Sequence, residues 1–541
     1  MSSNTKKFVT GATILAIAGI LAKVLSAFFR IPLASDAMLG EEGIGYYQFP
    51  YPIYTLLISI SYLGLPSAIS KLVSERIAKN KYKEAHEIFK HTFWLLVIVG
   101  AVSSAFMIFG CNWIIESQNW PQEAKWSLLG LSLAPFFVSF MGAFRGYFQG
   151  MQNMTPTAVS QLIESFGRVI VGVGLAAIVL FSIDRNNLGL AAGGASFGAT
   201  AGAILGSLFL VIMYFANRKK IKANFANDEG SVKVGFRKAS WLVICVALPI
   251  TLGAAINSVI SLIDSALIVD RLQTALGMSE VAATKLFGLI SGKAITLINF
   301  PLTISQAVVL SIMPAVSEAV AKKNEEEVHD KIQIGFRFIM LLALPCMAGM
   351  VALCSPIMKL LYGAKSEGGL TLAVLSLSLI FVMLGQLFAA VLQGMGKFYL
   401  PIWNLGIAAV FKYILTYILT GVESLNVNGA AVATVITYMI YAILNLYFVK
   451  KYSHYHVKEK INSILKPILA TIIMTVLTLA CYYGLSLTSI DFRITTLLSV
   501  AVGAGTYFII LLLTKALKKE DYDSIPGGAK IYKLLHKLHL A

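Results

Sequence analysis

Six basic side chains stand where an apolar chain should carry none: Lys23, Arg30, Arg145, Arg168, Lys293 and Lys412 each fall inside a long hydrophobic run. An ionisable group at mid-bilayer costs at least about 2.5–3.5 kcal/mol on insertion scales, so each cation needs a partner, a wet cavity or reach to the surface. The chemistry such groups support is anion binding, because Lys and Arg give charge-assisted hydrogen bonds to phosphate oxygens. Lys23 and Arg30 are seven apart, which puts them on nearly one helical face with no acidic neighbour in that helix. Both are expected to line a cavity, with snorkelling to the outer interface as the alternative for Arg30. Lys293 lies in the outer half of its run, where it either faces the cavity or pairs with Asp264, the main unpaired intramembrane acid, at similar depth.

Glu164 and Arg168, four apart, have the spacing of an internal ion pair. Arg145, one turn from the cytoplasmic surface, is expected to touch phosphate headgroups or to snorkel. Lys412 lacks an obvious local partner and is a second-rank cavity candidate. Tyr46, Tyr47, Tyr51 and Tyr54 crowd the outer half of the second run, where they anchor at the interface or stack on sugar rings.

The elements that position these residues are helices. Fourteen apolar runs fall near 8–33, 44–68, 91–111, 126–149, 156–182, 189–215, 239–269, 284–313, 335–361, 369–394, 399–421, 427–449, 463–486 and 493–514. Each is long enough at about 1.5 Å per residue to cross a hydrocarbon core of about 30 Å. In lipid a helix satisfies its own backbone hydrogen bonds. A mean hydropathy of +0.76 and 13% charged residues exclude a water-soluble domain. The expected fold is thus an all-α polytopic membrane protein. Lys6 and Lys7 precede the first run, but it is too long for a secretory signal and lacks an A-x-A site, so an uncleaved first helix is expected.

The net charge of +17 is distributed by side. Most Lys and Arg fall in the termini and even-numbered loops, which places both termini in the cytoplasm by the positive-inside rule. The runs Lys71–Lys90, Arg218–Lys238 and Lys450–Lys466 read as inner loops attracted to anionic lipid, not as a nucleic-acid surface. Cys111, Cys245, Cys346, Cys354 and Cys481 have no metal-ligand spacing and read as small core residues. No H-E-x-x-H or paired acidic motif accompanies the histidines, so no metal or cofactor is expected. The tail from Lys515 carries Ile531, Leu534, Leu535 and Leu538 at helical spacing and is expected to lie on the inner surface. Arg271–Lys285 is expected as a short interfacial helix outside.

An internal repeat sets the organisation. Gln149-Gly150-Met151 with Pro156 recurs as Gln393-Gly394-Met395 with Pro401, at offsets of 244 and 245. Pro66-Ser67-Ala68-Ile69-Ser70 is echoed by Pro314-Ala315-Val316-Ser317 at 248. An even repeat of six helices keeps its orientation, so the halves should relate by an axis along the membrane normal. The expected division is an N-lobe of helices 1–6 at 1–225, a C-lobe of helices 7–12 at 226–452, helices 13 and 14 at 453–515, and a basic cytoplasmic tail at 516–541. Two such lobes facing one another would leave a central cavity.

The stretches AKVLSAFFRIPLA, GEEGIGYYQFPYPIY, LGLPSAISKLVSE, FRGYFQGMQNMTPTAVSQLIE and VLQGMGKFYLPIWN resemble the polysaccharide-flippase branch of the multidrug/oligosaccharidyl-lipid/polysaccharide (MOP) exporter superfamily. Within it the likeness is to the stage V sporulation protein B group, related to the lipid II flippase MurJ, over essentially the whole chain. The resemblance implies two six-helix lobes plus two helices, and alternating-access transport of an undecaprenyl-diphosphate-linked sugar from the inner to the outer leaflet of the cell membrane. It also implies that cavity cations on helices 1, 2 and 8 serve the diphosphate. Lys23 and Arg30 match the helix 1 pair, with Arg30 displaced by one position, and Lys293 lies about one turn from the helix 8 site. Helix 2 departs from the pattern, with no Lys or Arg between Tyr46 and Ser70.

Lys23, Arg30 and Lys293 are therefore the expected diphosphate ligands, with Arg145, Asp264, Lys412, Tyr51 and Tyr54 as secondary candidates. The expected partners are a lipid-linked sugar, membrane lipids and wall-synthesis proteins, with no nucleic acid, and the chain is expected to act as a monomer. The coupling ion or potential is left open. An enzyme is disfavoured, because no nucleophile stands with a base and no glycine loop suits phosphate. The rivals are an ion-coupled multidrug exporter, which would want acidic cavity residues, a flippase for teichoic acid or capsule precursors, and a non-transporting scaffold for wall synthesis.

Overall fold

The computed structural model describes residues 18–19, 21–22, 25–26, 29–59, 61, 64–453 and 461–514. Lys23, most of the first run and the tail from Lys515 lie outside the described residues. Twenty helices are labelled here. In order they are α1 (Gly40–Gln48), α2 (Tyr51–Ser59), α3 (Leu65–Ile77), α4 (Tyr82–Phe109), α5 (Cys111–Ser117), α6 (Ala124–Ser132), α7 (Ala134–Gly150), α8 (Thr155–Ile178), α9 (Leu188–Asn224), α10 (Phe236–Leu276) and α11 (Glu280–Phe287). They continue as α12 (Ile295–Ala321), α13 (Glu325–Ala352), α14 (Cys354–Tyr362), α15 (Gly369–Ser376), α16 (Ser378–Gly394), α17 (Tyr399–Thr420), α18 (Val427–Ser453), α19 (Ile461–Ser486) and α20 (Phe492–Leu513).

Among the described residues, 11 continuous helical stretches are long and apolar enough to cross a membrane. Large apolar side chains cover their outward faces, with Phe109 at 87% and Ile170 at 68% exposure. Surface of that kind is stable only against hydrocarbon. This is a multi-pass all-α membrane protein.

The run expected as one helix at 44–68 is interrupted at Phe49–Pro50, between α1 and α2, while Ser61 and Gly64 ahead of α3 are π-helical. Pro50 and Pro52 each lack the N–H that a continuous ladder requires. The expected separate helix at 271–285 is also corrected. The long α10 carries on through Arg271 to Leu276, where Gly277 in the left-handed region, φ +64°, stops it. Ser279 then caps α11, its Oγ accepting from the N–H of Ala282 at 3.3 Å. From there α11 runs into a π-helical stretch, Gly288–Ala294, and on to α12. Of the cysteines expected in the core, Cys245 instead lies exposed on the outward side of α10.

By packing, the chain forms two compact units, Met1–Gly292 and Lys293–Ala541. The lobes expected from the repeat divide at 225/226, whereas α10 packs on α2, α3 and α4. In the first unit α8 and α9 form the most extensive pair. Their axes approach until a methyl added at Gly198 would lie 2.6 Å from the Arg168 carbonyl oxygen, and one at Gly202 would meet that of Glu164. Small residues permit this approach, and in lipid it is a main source of helix association.

Each unit also holds one copy of the hairpin packing that the repeat suggests. In the first, a methyl at Gly150 would lie 2.7 Å from the Val73 Cβ and 3.0 Å from the Ser70 carbonyl oxygen. In the second, one at Gly394 would lie 3.0 Å from the Val316 Cβ and 2.8 Å from the Met313 carbonyl oxygen. Val73 and Val316 are 243 apart, in step with the hairpin offset of 244. The proline echo at 248 is out of step, since the packing register sets Pro66 against Val309, more than one turn from Pro314.

Candidate functional site: a cationic cluster in the first unit

Arg30 sits in the helical turn that ends helix 1, its carbonyl oxygen accepting from Ala34 N at 2.9 Å. The neighbouring Phe29 touches α8, its ring carbons 3.1 and 3.2 Å from a methyl placed on Gly172. Arg30 itself lies over the Tyr51 ring, its Cζ 5.0 Å from the centroid. Tyr47, Tyr51 and Tyr54 fall at i, i+4 and i+7 along α1 and α2 and form a ladder, with successive centroids 6.1 and 5.6 Å apart. Electrostatically, Arg30 is coupled to Tyr47, Tyr51 and Arg168. The same three tyrosines and Glu164 act on Arg168. Helix 2 therefore contributes tyrosines, and the positive charges beside them come from helix 1 and α8.

Glu164 and Arg168 form the expected pair, Arg168 Nη2 donating to Glu164 Oε1 at 3.1 Å. The pair is not isolated. Arg145 on α7 donates through Nη2 to Glu164 Oε2 at 3.0 Å and through Nε to Ser160 Oγ at 3.0 Å. Arg145 is 5% exposed. This corrects the expectation that it reaches headgroups or snorkels. The short α7–α8 turn folds it back onto α8, where burial with a carboxylate is cheaper than burial alone.

The cluster thus holds Arg145 and Arg168 on one carboxylate, with Arg30 beside the tyrosines that Arg168 also faces, and two positive charges are in excess. Glu164 uses both oxygens on its two arginines, while Arg168 Nε is buried with no hydrogen-bond partner. An N–H left so in an apolar interior costs about 1–3 kcal/mol, more when the group is charged. Such a site suits an acceptor with several oxygens and more than one negative charge.

The other candidates lie elsewhere. Lys293, in the π-helical stretch, is fully buried. Its Nζ donates to Ser366 Oγ at 3.0 Å and lies 5.5 Å from the Tyr362 ring centroid, and the Tyr362 hydroxyl donates to the Lys293 carbonyl oxygen at 3.0 Å. Lys412 was expected to lack a local partner, but it is enclosed between α17 and α18 and donates to Thr434 Oγ1 at 2.7 Å and to the Ala430 carbonyl oxygen at 3.3 Å. Asp264 is buried on α10. Tyr46 donates to Glu42 Oε1 at 3.1 Å, away from the ladder's cation. Arg337 on α13, outside the six cations singled out in the sequence, is also buried. Among the described residues no cluster of His, Cys, Asp and Glu could hold a metal ion.

The chain is 26% identical over 523 residues to the stage V sporulation protein B of Bacillus subtilis, covering 96% of this chain and 98% of that protein. It is 23% identical over 545 residues to the lipid II flippase MurJ of the same organism, covering 97% and 98%. A solved structure of the lipid II flippase MurJ in an inward closed conformation superposes with a TM-score of 0.64 at 16% identity, over 92% of this chain and 98% of that one. That likeness shows the fold. Residues 8–305, which carry Arg30, the tyrosine ladder and the Arg145–Glu164–Arg168 triad, match the polysaccharide biosynthesis protein family, and the chain belongs to that family.

Proposed function

We propose that this protein is a flippase for an undecaprenyl-diphosphate-linked cell-wall oligosaccharide, with the peptidoglycan precursor lipid II as the leading substrate, moved from the inner to the outer leaflet of the cell membrane by alternating access. One observation carries the reading: Arg145 and Arg168 share the Glu164 carboxylate inside an apolar unit and Arg30 stands at the same tyrosines as Arg168, so two positive charges are left for a ligand to neutralise. A diphosphate supplies that charge and many acceptor oxygens, which guanidinium groups recognise with paired N–H donors. No bond is made or broken in such a cycle. The sugars would cross in a wet cavity beside the tyrosines while the prenyl chain stays in lipid. Family membership and the sporulation and lipid II relatives support a lipid-linked substrate. Lys23, on the Arg30 face by spacing, and Lys293 remain in the proposal on the resemblance alone. The bias of Lys and Arg among the loops supports a cytoplasmic position for both termini.

The test is transport of fluorescent lipid II in proteoliposomes. Arg30→Gln is expected to lower the rate at least about tenfold, the loss associated with one charge-assisted contact. Unaltered transport by that variant would remove the reading. A cation exporter on the same fold would want the opposite balance at this cluster, and drug-resistance profiles of cells lacking the gene separate the two.

A further inference from the structure

The geometry points to Arg168 as a second ligand for the diphosphate, working with Arg30, and to Arg145–Glu164 as the pair that positions it. This inference rests on the flippase reading and adds to it a residue whose spacing alone suggests only a local ion pair. The observations separate the two arginines that Glu164 touches. Arg145 is held at both ends of its fork, by Ser160 and by Glu164, and is buried at 5% exposure. Its role is complete within the protein. Arg168 makes one bond to Glu164, through Nη2, and keeps its Nε–H without an acceptor. Its side chain is 18% exposed against 6% for Arg145, with Nε itself buried, so a ligand reaches that N–H by a turn of the Arg168 side chain.

Position argues the same way. Arg168 is coupled electrostatically to Tyr47, Tyr51 and Tyr54, and Arg30 to Tyr47 and Tyr51. Two cations around one tyrosine ladder repel each other, and nothing on helix 2 offsets them, since that helix carries no Asp or Glu between Tyr46 and Ser70. A diphosphate between them would relieve the repulsion and accept from Arg168 Nε. The close approach of α9 at Gly198 and Gly202 fixes the backbone at Arg168 and Glu164, so the helix that carries the pair is set before ligand arrives.

The test measures binding of undecaprenyl diphosphate, undecaprenyl monophosphate and inorganic pyrophosphate to purified full-length protein. Arg168→Gln is expected to weaken diphosphate binding at least about tenfold and to shrink the preference for diphosphate over monophosphate. Arg168→Lys, which keeps the charge without the fork, should recover only part of both. A merely structural arginine would change stability and leave that preference alone. Binding by the prenyl form only assigns the ligand to lipid; competition by pyrophosphate assigns it to the diphosphate group itself, and both support the inference.

Unchanged preference in Arg168→Gln beside a loss in Arg30→Gln overturns the role of Arg168 and leaves the flippase reading standing. Unchanged binding in both overturns both. If Arg168→Gln does not fold, phenylglyoxal labelling of the wild-type protein decides. Undecaprenyl diphosphate is expected to protect Arg168, and equal labelling with and without it, including no labelling at all, overturns the inference.

Discussion

The Arg30 guanidinium stands 5.0 Å from the centre of the Tyr51 ring, in a ladder that Tyr47 and Tyr54 continue. An aromatic face holds a cation at about 0.5–2 kcal/mol without cancelling its charge, so the group is oriented yet still available to an anion. A carboxylate would orient it equally well and neutralise it. We therefore expect Tyr51→Leu, which removes the face, to lower lipid II transport by roughly three- to thirtyfold. Tyr51→Phe, which keeps the face and loses the hydroxyl, should cost less. Rates in proteoliposomes for the two variants check the ordering, and a larger loss in the Phe variant would assign the tyrosine's role to its hydroxyl.

Gly202 supports the cluster without touching any ligand. A methyl there would meet the Glu164 carbonyl oxygen, a backbone atom that yields only if α8 moves away from α9. Overpacking of this kind costs about 1–3 kcal/mol. Gly202→Ala is expected to lower the melting temperature of the purified protein and to weaken diphosphate binding with it. Gly174→Ala is the control. It lies on α8 with nothing within 4 Å of the added methyl, and a helix interior favours alanine over glycine by up to about 1 kcal/mol. Its melting temperature should stay or rise.

In the first unit the 228–234 segment is tied to the start of α4. Asp228 Oδ1 accepts from the Lys83 N–H at 2.8 Å and from the Ser231 hydroxyl at 2.6 Å, and Glu87 Oε2 accepts from the Val234 N–H at 2.8 Å. The Lys83 N–H, then the Ser231 hydroxyl, hold the Asp228 carboxyl below its ordinary value. A carboxylate lowered in this way contributes fully above its unfolded pKa, about 3.9, and loses the contribution as pH falls through the folded value. Protection of the Lys83 amide in hydrogen exchange, corrected for the intrinsic pH dependence, should hold from neutral pH down to about pH 4 and fall only below it. Asp228→Ala, which removes the acceptor, should lose protection at every pH. Protection in that variant equal to wild type would show that Glu87 and Val234 suffice.

The sequence was informative where the chemistry is local. Hydrophobic runs marked the helices because a bilayer tolerates little else, and Glu164 four before Arg168 marked a pair because one turn of helix brings those side chains together. Arg145 was misread because its partner lies 19 residues on, across the α7–α8 turn, and only the folded hairpin brings Nη2 to Glu164. The missing helix 2 cation has the same explanation: a count along one helix does not show that α8 brings Arg168 to the same tyrosines. The interruption at Phe49–Pro50 is not legible in a hydropathy window, because an apolar window averages over the break that Pro50 and Pro52 cause. The repeat was legible at the glycine hairpin because close approach there admits only a small residue. Proline at a helix end recurs for local reasons, which is why the second echo falls out of register.

Lys412 separates burial from function. It is fully buried, yet its ammonium rests on Thr434 Oγ1 and the Ala430 carbonyl oxygen of the adjacent helix. Thr434 also donates to Ala430 at 2.9 Å, so removing the lysine leaves that hydroxyl satisfied. Replacing a buried charged group by an apolar one of similar volume is often neutral or stabilising. Lys412→Met is therefore expected to keep lipid II transport within about twofold of wild type and to leave the melting temperature unchanged or raised. Lys412→Ala leaves a void between α17 and α18 and should lower the melting temperature by several degrees, following a loss of about 2–5 kcal/mol for large-to-small core changes. A transport loss in the Met variant comparable to that of Arg30→Gln, at undiminished melting temperature, would instead make Lys412 part of the substrate path.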